Sequence, residues 1–337
     1  MINLKTTYLG LELKNPIIIG ASNLVSDTSN LKAAEASGAA AIVFKSLFEE
    51  QIQLESYHLD NQMEEYNNRN AEMIKLFPDI THSGPQEHLH KLRKVKESVS
   101  IPVIASLNAV YHESWIEYAK LIEDTGVDAL ELNFYSIPKD FNKDEKEIIS
   151  EQLAIVKEIK RTLNIPVSVK LSPYYTNVLK FIAELDKAGV NGLVLFNRMF
   201  QPDIDLEKEE HFSPFNLSSE NDNRIALRFA GLLFGRVKAN ICSNSGIMDG
   251  KDVIKAVMAG ADAVQVVSTL YKHKLNHISV MLDEINEWMK MKKYNSLKDF
   301  KGKLSEKNTK DPFVYKRAQY IDLLLKSEDL LKTSVLR

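Results

Sequence analysis

The segment VMAGADAVQV at residues 257–266 ends a helix pattern at Gly260, and a largely apolar run follows at once. The same arrangement recurs as EASGAAAIVF at 35–44, EDTGVDALEL at 123–132 and DKAGVNGLVL at 186–195. Glycine readily adopts the left-handed conformation that ends a helix, and a run of Val, Ile, Leu and Ala is typical of a strand buried on both faces. The repeated unit therefore predicts helices that alternate with buried parallel strands.

Eight such apolar runs are present, at residues 16–22, 40–46, 102–108, 129–134, 166–172, 192–197, 239–245 and 263–268. Helical patterns lie between them at 85–99, 113–124, 145–163, 176–188, 224–238 and 251–259. Eight buried strands that alternate with helices predict an α/β protein with a (β/α)8 TIM barrel. A doubly wound open sheet is the less favoured alternative, because an open sheet of this size usually has an edge strand of mixed character.

The composition is that of a soluble globular chain. Its 337 residues carry a formal net charge of −3, and 44% of them are apolar. This charge balance offers no basic surface for nucleic acid or an anionic membrane, and no apolar run is long enough to span a bilayer. Residues 1–10 lack a secretory signal pattern, so we expect a cytoplasmic protein. We expect residues 1–305 to form the barrel and residues 306–337 to form a charged extension that packs on the barrel or on a partner subunit.

Cysteine and histidine usage limits the possible chemistry. The single cysteine, Cys242, excludes an internal disulfide and a cysteine-held iron–sulfur cluster in this chain. Cys242 falls inside the seventh predicted strand, and we expect it to be a buried core residue without a catalytic role. The histidines show no metal-ligand spacing beside an acidic residue, so no metal site is predicted, and His82, His88 and His90 are expected at the surface.

Polar side chains stand at the carboxyl ends of the predicted strands, where barrel enzymes bind their substrates. They are Ser22, Asn23, Lys45, Ser46, Ser106, Asn108, Asn133, Lys170, Ser172, Asn197, Ser243, Asn244, Ser245, Ser268 and Thr269. One such Asn is usually a turn or cap residue, but several Asn with two Lys on one rim favour a site for a polar, amide-rich ligand. The segment SNSGIMDGKD at 243–252 could offer free backbone N–H groups to a phosphate, and a simple glycine turn with Asp249 as a helix cap is the alternative.

These motifs resemble the FMN-dependent dihydroorotate dehydrogenases of the soluble class 1 branch, over nearly the whole barrel. The resemblance is carried by NPIIIGAS at 15–22, GAAAIVFKS at 38–46, IPVIASLN at 101–108, ELNFYS at 131–136, PVSVKLSPYY at 166–175, SNSGIMDGKD at 243–252 and AGADAVQVVSTL at 259–270. It implies an FMN-binding barrel, a homodimer and a ping-pong reaction. In that reaction a base takes a proton from dihydroorotate while hydride leaves for flavin N5, and an acceptor then reoxidises the flavin.

The resemblance also implies roles for individual residues. Ala21 and Ser22 would lie along the flavin, Lys45 would hydrogen-bond its ring, and Lys170 would lie near N1 and the C2 carbonyl. Asn133 and Asn197 would hold the edges of the substrate, and Asn108 would reach the flavin or the substrate. The FMN phosphate would be bound by Ser245, Gly246, Ser268 and Thr269.

The chain departs from the class 1 pattern at the base. Where those relatives have N-x-S-C-P-N, residues 133–138 read NFYSIP, so Ser136 stands at the cysteine position and Pro138 replaces a substrate-binding Asn. Serine is the base in class 2 enzymes, and we expect Ser136 to act as the base here. A shift of one residue would offer Tyr135 instead.

Three further alternatives stay open. The substrate could be another dihydropyrimidine-like cyclic amide that uses the same flavin chemistry. Lys45 or Lys170 could instead form a Schiff base in a lyase or aldolase barrel. The third alternative is a flavoprotein without catalysis.

The electron acceptor is not specified by the sequence, since soluble relatives include fumarate users and enzymes that pass electrons to an iron–sulfur partner subunit.

Overall fold

Eight parallel strands close into a barrel. The computed structural model describes residues 2–54, 84–134, 141–199, 201–214, 217–316 and 319–325. The barrel strands are β1 Ile17–Ile19, β2 Ala41–Val43, β3 Val103–Asn108, β4 Ala129–Asn133, β5 Val167–Leu171, β6 Gly192–Leu195, β7 Asn240–Asn244 and β8 Ala263–Val266. Parallel ladders join each strand to the next, and β8 pairs with β1. The predicted (β/α)8 barrel is therefore confirmed, and the closed sheet excludes the open-sheet alternative.

Helices cover the outside of the barrel. They are α1 Thr28–Ala36, α2 Pro85–Ser98, α3 His112–Glu123, α4 Glu145–Thr162, α5 Val178–Lys187, α6 Asn223–Leu233, α7 Gly250–Ala259, α8 Ser268–His273, α9 His277–Lys292 and α10 Gln319–Leu325. The helix predicted at 224–238 ends five residues early, because Phe234 leaves the helical region and Gly235 is left-handed at φ 72°. No helix in the described ranges is long and apolar enough to cross a membrane.

The barrel interior is apolar at its amino-terminal end and polar above it. A cluster of small and apolar side chains fills the lower interior, including Ile18, Ala41, Ile104, Ala129 and Cys242. Alternate strand residues point to opposite faces, so the remaining apolar residues of the strands pack outward against the helices. This outer layer holds most of the buried apolar surface, which leaves the upper interior available for polar groups.

A short hairpin that the sequence analysis did not predict closes the amino-terminal end of the barrel. Strands Thr6–Tyr8 and Leu11–Leu13 are joined by Leu9 and Gly10, which have φ of 57° and 76°, as a tight hairpin turn requires. Tyr8 and Leu9 are almost fully buried, and Leu9 N–H donates to Asn240 Oδ1 at 3.0 Å. A Cβ on Gly192 would lie 2.5 Å from Leu9 Cδ2, so the start of β6 must be glycine to accept the hairpin.

Long loops follow β2 and β6 at the opposite end. After β2, residues Leu47–Phe48 pair with the end of β3, residues 49–54 are helical, and residues 55–83 lie outside the described ranges. The loop after β6 carries an antiparallel hairpin of Asp203–Asp205 and Glu210–Phe212. Both loops therefore begin at the carboxyl rim of the barrel, where active sites of this fold are found.

Residues 306–316 run along α6 on the outer surface. Glu306 N–H donates to the Gly231 carbonyl at 3.0 Å, and Arg228 Nη2 donates to the Tyr315 carbonyl at 3.0 Å. The Tyr315 ring lies so close to Gly231 that a Cβ there would overlap the phenol. This part of the extension is therefore in contact with the helical layer of the barrel.

Candidate active site

Polar side chains point into the barrel at the carboxyl ends of neighbouring strands. In β4 the alternation that turns Ala129 inward also turns Asn133 inward. The same alternation directs Lys45 after β2, Asn108 at the end of β3 and Lys170 in β5 toward the barrel axis. The carboxyl ends of parallel strands meet at one rim, so these four side chains face a common space.

That space is a cleft of about 670 Å³, within the range of roughly 300–1,000 Å³ that is usual for small-molecule sites. Its lining combines amides, hydroxyls, charged groups and apolar side chains. The lining residues are Ala21, Ser22, Asn23, Lys45, Ser46, Phe48, Glu50, Gln51, Asn108, Asn133, Lys170, Asn197, Arg198, Val267 and Tyr271. Seven residues to which the resemblance assigns a role therefore come together here, namely Ala21, Ser22, Lys45, Asn108, Asn133, Lys170 and Asn197.

Lys170 is held from inside the barrel by an amide and a carboxylate. Its Nζ donates to Gln265 Oε1 at 3.2 Å, and Gln265 Nε2 donates to Glu131 Oε2 at 2.5 Å. Glu131 Oε1 lies 3.8 Å from Lys170 Nζ and accepts no hydrogen bond from the residues that the structure describes. The exposed fractions are 6% for Lys170 and 1% each for Glu131 and Gln265. A lysine can lie at the end of an apolar strand here because a buried carboxylate balances its charge.

Lys45 reaches the other side of the cleft. No ion pair within 4 Å is found for its ammonium among the described residues. Burial lowers the pKa of Lys45, and the nearby charge of Lys91 lowers it further, while Glu87 acts in the opposite direction. A half-buried cation of this kind is suited to bind an anionic or carbonyl group of a ligand.

His88 on α2 lies behind Lys45 and is fully buried, so the prediction of a surface position is wrong. Its ring makes an edge contact with Phe44 at 5.2 Å, and within the described part of the chain neither ring nitrogen has a hydrogen-bond partner. Burial, followed by the charges of Lys45 and Lys91, lowers the pKa of His88 to about 3. The side chain is therefore a neutral part of the core next to the cleft.

Asn133 and Asn197 form a direct contact across the cleft. Asn197 Nδ2 donates to Asn133 Oδ1 at 2.8 Å, and Asn133 is only 8% exposed. Nearby, Asn244 Nδ2 donates to the Phe196 carbonyl at 2.9 Å, which fixes the loop that carries Asn197. The two amide planes are thus oriented before a ligand arrives, and amides offer both donors and acceptors to a cyclic amide.

A smaller cavity of about 130 Å³, the serine cavity, adjoins the cleft, and its lining includes Ser218, Ser245, Gly246, Ser268 and Gln265. Ser245 and Gly246 are left-handed, with φ of 71° and 68°. Gly246 N–H donates to Ser218 Oγ at 3.2 Å, and the Ser218 N–H and hydroxyl donate to Ser268 Oγ at 2.9 and 2.8 Å. A Cβ on Gly246 would lie 2.8 Å from the Ser219 carbonyl oxygen, so the turn requires glycine. Converging N–H and hydroxyl donors of this kind suit an oxyanion.

The two cavities are continuous. Both are lined by Ala21, Lys170, Asn197, Arg198 and Val267. A single ligand could therefore extend from the serine cavity, past the Lys170 ammonium, into the cleft with the three Asn side chains. A phosphate joined through a chain to a planar ring has this shape and polarity.

Other predicted residues have different positions. Thr269 is fully buried, and its hydroxyl donates to the Met248 carbonyl at 2.7 Å, so it braces the loop after β7 and does not line the serine cavity. Ser136 and Tyr135 lie outside the described residues. Cys242 is fully buried as predicted, and burial, followed by the charge of Glu131, raises the pKa of its thiol well above the ordinary value.

The sequence analysis missed four residues of this region. Glu131 and Gln265 lie inside strands, and Ser218 meets Ser268 across 50 residues of chain, so no local pattern marks them. Arg198 lines both cavities and pairs with Asp222 at 2.6 Å. It could have been noticed, because it directly follows Asn197 at the end of a strand.

Comparison with known proteins agrees with this geometry. A family model described as dihydroorotate dehydrogenase matches residues 3–289. The catalytic subunit of dihydroorotate dehydrogenase B (NAD(+)) from Methanocaldococcus jannaschii is 28% identical over 302 residues, which cover 85% of this chain and 94% of that protein. A putative dihydroorotate dehydrogenase A (fumarate) from Aeropyrum pernix is 29% identical over 235 residues, 66% of this chain and 74% of that protein. The chloroplastic dihydropyrimidine dehydrogenase (NADP(+)) of Arabidopsis thaliana is 23% identical over 333 residues, 89% of this chain and 76% of that protein.

Proposed function

Because the chain belongs to the dihydroorotate dehydrogenase family, we propose that it is an FMN-dependent oxidoreductase that oxidises dihydroorotate to orotate. The observation that carries the proposal is the continuous pair of cavities. A donor-rich serine cavity leads past the paired Lys170 to a cleft lined by Lys45 and by Asn108, Asn133 and Asn197. This order of groups matches a phosphate, a flavin ring and a cyclic amide in turn.

The residues present fit FMN. The N–H of Gly246 and the hydroxyls of Ser218, Ser245 and Ser268 would hold the phosphate, since they line the serine cavity and the neighbouring backbone leaves no room for a Cβ on Gly246. Lys170 would place its ammonium beside the pyrimidine edge of the ring, where a fixed cation stabilises negative charge. FMN supplies the electron-accepting ring that oxidation of a CH–CH bond requires.

The amide-lined part of the cleft would bind the substrate. Asn133 and Asn197 would hydrogen-bond the alternating N–H and carbonyl groups of a dihydropyrimidine, and Asn108 would contact its other edge. Lys45 would hydrogen-bond the flavin ring, because its ammonium lies at the cleft without an ion pair among the described residues. These contacts would hold the reacting carbon toward the ring that accepts hydride.

We propose Ser136 as the base that removes the proton from the substrate carbon. It follows β4 by three residues, at the position where class 1 relatives carry cysteine, and Tyr135 is the alternative one residue away. A serine hydroxyl must pass its own proton onward as it accepts one. Replacement of Ser136 by Ala should therefore slow flavin reduction by about 100-fold or more while substrate still binds.

The alternative of another dihydropyrimidine has less support, since the family model is that of dihydroorotate dehydrogenase and the dihydropyrimidine dehydrogenase among the relatives is 23% identical. The cleft could accept dihydrouracil, which lacks the carboxylate of dihydroorotate. A Schiff-base role for Lys170 has less support, because its ammonium is engaged by Gln265 and Glu131 and a protonated amine is not a nucleophile. The names of two relatives give NAD(+) and fumarate, so these two compounds are the candidate electron acceptors.

The decisive experiment is an anaerobic titration of the purified, FMN-loaded protein with dihydroorotate, followed by flavin absorbance. We expect stoichiometric bleaching with formation of orotate, and return of colour when fumarate, or NAD(+) with a reductase subunit, is added. Dihydrouracil is the matched control substrate. Bleaching by dihydrouracil alone would favour the alternative of another dihydropyrimidine. A loaded protein that neither compound reduces would contradict it.

We also propose that residues 306–337 form an extension of the barrel and do not form a separate domain. The support is the series of contacts that residues 306–316 make with Gly231 and Arg228 of α6. The homodimer implied by the resemblance is a further proposal, which light scattering of the purified protein tests through the mass in solution.

A further inference from the structure

The buried contacts of Lys170 form a closed set of three side chains that come from three different strands. Glu131 in β4, Lys170 in β5 and Gln265 in β8 are joined by two hydrogen bonds and one ion pair. Both ends of the Gln265 amide take part in this set, because its oxygen accepts from the lysine and its nitrogen donates to the glutamate. Of the three, only Lys170 lines the cleft with the residues proposed to hold substrate, while Lys170 and Gln265 both line the serine cavity.

From this geometry we propose that Glu131 and Gln265 are positioning residues that set how strongly Lys170 stabilises negative charge on the bound flavin. The negative charge of Glu131 partly cancels the positive charge that Lys170 would present to the flavin. Gln265 keeps the ammonium directed toward the cleft by accepting a hydrogen bond from it and holding the carboxylate 3.8 Å away from it. The pair would thereby tune the electron affinity of the cofactor. The inference rests on the proposed function, since it requires FMN to bind beside Lys170.

The arrangement is not explained by stability alone. A buried ion pair gains little over well-packed apolar side chains of similar volume, because both charges must leave water. Among the described residues, Glu131 Oε1 also lacks a hydrogen-bond donor, although Glu131 is only 1% exposed. If these three side chains served only to fill the barrel, we would expect a donor for this oxygen or an apolar side chain in place of the carboxylate. If Glu131 instead adjusts the electric field of Lys170 at a bound ligand, its negative charge is required even though one of its oxygens accepts no hydrogen bond.

Replacement of the two positioning residues should change the negative charge that the flavin can hold in opposite directions, and the experiment tests this difference in direction. In Glu131→Gln the balancing charge is lost, so the flavin should hold negative charge more strongly. In Gln265→Met the amide bridge is lost, and Lys170 can move to direct contact with Glu131, so the flavin should hold negative charge less strongly. A residue with only a packing role would weaken cofactor binding or stability without this reversal.

Sulfite affinity of the FMN-loaded protein measures the effect without any catalysis. Sulfite adds its sulfur lone pair to N5 of the oxidised flavin, and the displaced electron pair leaves negative charge at N1 and the C2 oxygen. We expect the sulfite dissociation constant to fall roughly tenfold in Glu131→Gln, the order expected for removal of one unit charge at an effective dielectric constant of about 20, and to rise several-fold in Gln265→Met. Midpoint potentials measured against a reference dye should rise and fall in the same order.

Two further variants complete the experiment. Glu49→Gln is the matched control, because Glu49 is a carboxylate of 3% exposure that accepts from Val110 N–H and Ser114 Oγ at 2.9 Å and lines neither cavity. It should leave sulfite affinity unchanged. The exchange variant Glu131→Gln with Gln265→Glu keeps one buried carboxylate beside Lys170, so its sulfite affinity should return toward that of the parent. If a single variant folds poorly, this double variant still tests the proposal.

The inference is overturned if both single variants shift sulfite affinity in the same direction, or if neither shifts it while FMN content and unfolding midpoint match the parent. Failure of the proposed function looks different. In that case the parent protein itself would not retain FMN, or would retain it without reduction by any dihydropyrimidine.

Discussion

Gly246 is the residue on which the serine cavity depends most. Its φ of 68° and the nearby Ser219 carbonyl leave no room for a Cβ, and its N–H belongs to the proposed phosphate site. We expect Gly246→Ala to weaken FMN binding at least tenfold, because the turn must move its N–H away from the phosphate. Flavin fluorescence quenching on titration of the apoprotein measures the dissociation constant.

Gly126 provides the control for backbone strain. It is also left-handed, at φ 81°, but a Cβ there would meet nothing within 4 Å. Gly126→Ala should cost about 1 kcal/mol of unfolding free energy and leave FMN affinity unchanged. Equal losses of FMN affinity in the two variants would show that general destabilisation is responsible.

His88 predicts a pH dependence of stability. In the folded protein burial keeps the imidazole neutral down to a pKa of about 3, whereas an unfolded chain protonates it near pH 6.5. Below pH 6.5 the unfolded state therefore binds more protons, so the free energy of unfolding falls as pH decreases until the folded-state pKa is reached. Between pH 7 and pH 5 we expect the parent to lose about 2 kcal/mol more than His88→Phe, measured by urea unfolding.

His90 on the same helix is exposed and supplies the comparison. His90→Gln should retain the pH dependence of the parent. If His88→Phe and the parent lose the same free energy between the two pH values, the buried imidazole is not the group that titrates.

At the scale of elements, the amino-terminal hairpin predicts a coupling between Gly192 and Leu9. Gly192→Ala should destabilise the protein by about 1–3 kcal/mol, because its new Cβ overlaps Leu9 Cδ2 in a filled interior. Leu9→Ala removes that atom, so the double variant should lose less than the sum of the single changes. Guanidinium unfolding of the four proteins measures the coupling energy, and strict additivity would contradict the packing of the hairpin against β6.

The strands were predictable because each has a property visible in a short window. Apolar runs that follow Gly126, Gly189 or Gly260 identify strands buried on both faces, and all eight appear in the structure. The observed strands are shorter than the predicted runs, since residues such as Ser22 and Ser46 leave the ladder to line the cleft. The hairpin at Thr6–Leu13 was missed because strands of three residues give too little alternation to read.

The site was predictable only where it coincides with strand ends. Lys45, Asn108, Asn133, Lys170 and Asn197 could be assigned to one rim from the topology alone. The partners of those residues could not be assigned, because contacts such as that of Gln265 with Glu131 span 134 positions and depend on strand order and tilt. The predicted place of Thr269 in the phosphate site could not be checked from sequence for a related reason, since its hydroxyl donates to a carbonyl of the neighbouring loop.

At the scale of the whole molecule, the extension is predicted to contribute stability without affecting the site. Tyr315 Oη donates to the Leu304 carbonyl at 2.6 Å, and its ring covers Gly231. Tyr315→Ala should lower the free energy of unfolding by about 1–2 kcal/mol and leave FMN affinity unchanged, because the contact lies on the outer helical layer. Tyr320→Ala, which removes a side chain of 63% exposure, should change neither quantity. A loss of FMN affinity in Tyr315→Ala would show that the extension supports the cleft.

The pairing of β1 with β8 has a consequence for synthesis on the ribosome. β1 gains its neighbour β2 soon after translation begins, but its other edge needs residues 263–266. At the usual rates of about 5–20 residues per second, that edge stays open for about 12–50 s in each newly made chain. Unpaired strand edges are templates for association with other chains. Nascent copies of this protein should therefore depend on chaperones during elongation more than the finished enzyme does, and slow codons between the two strands should lower the yield of folded protein.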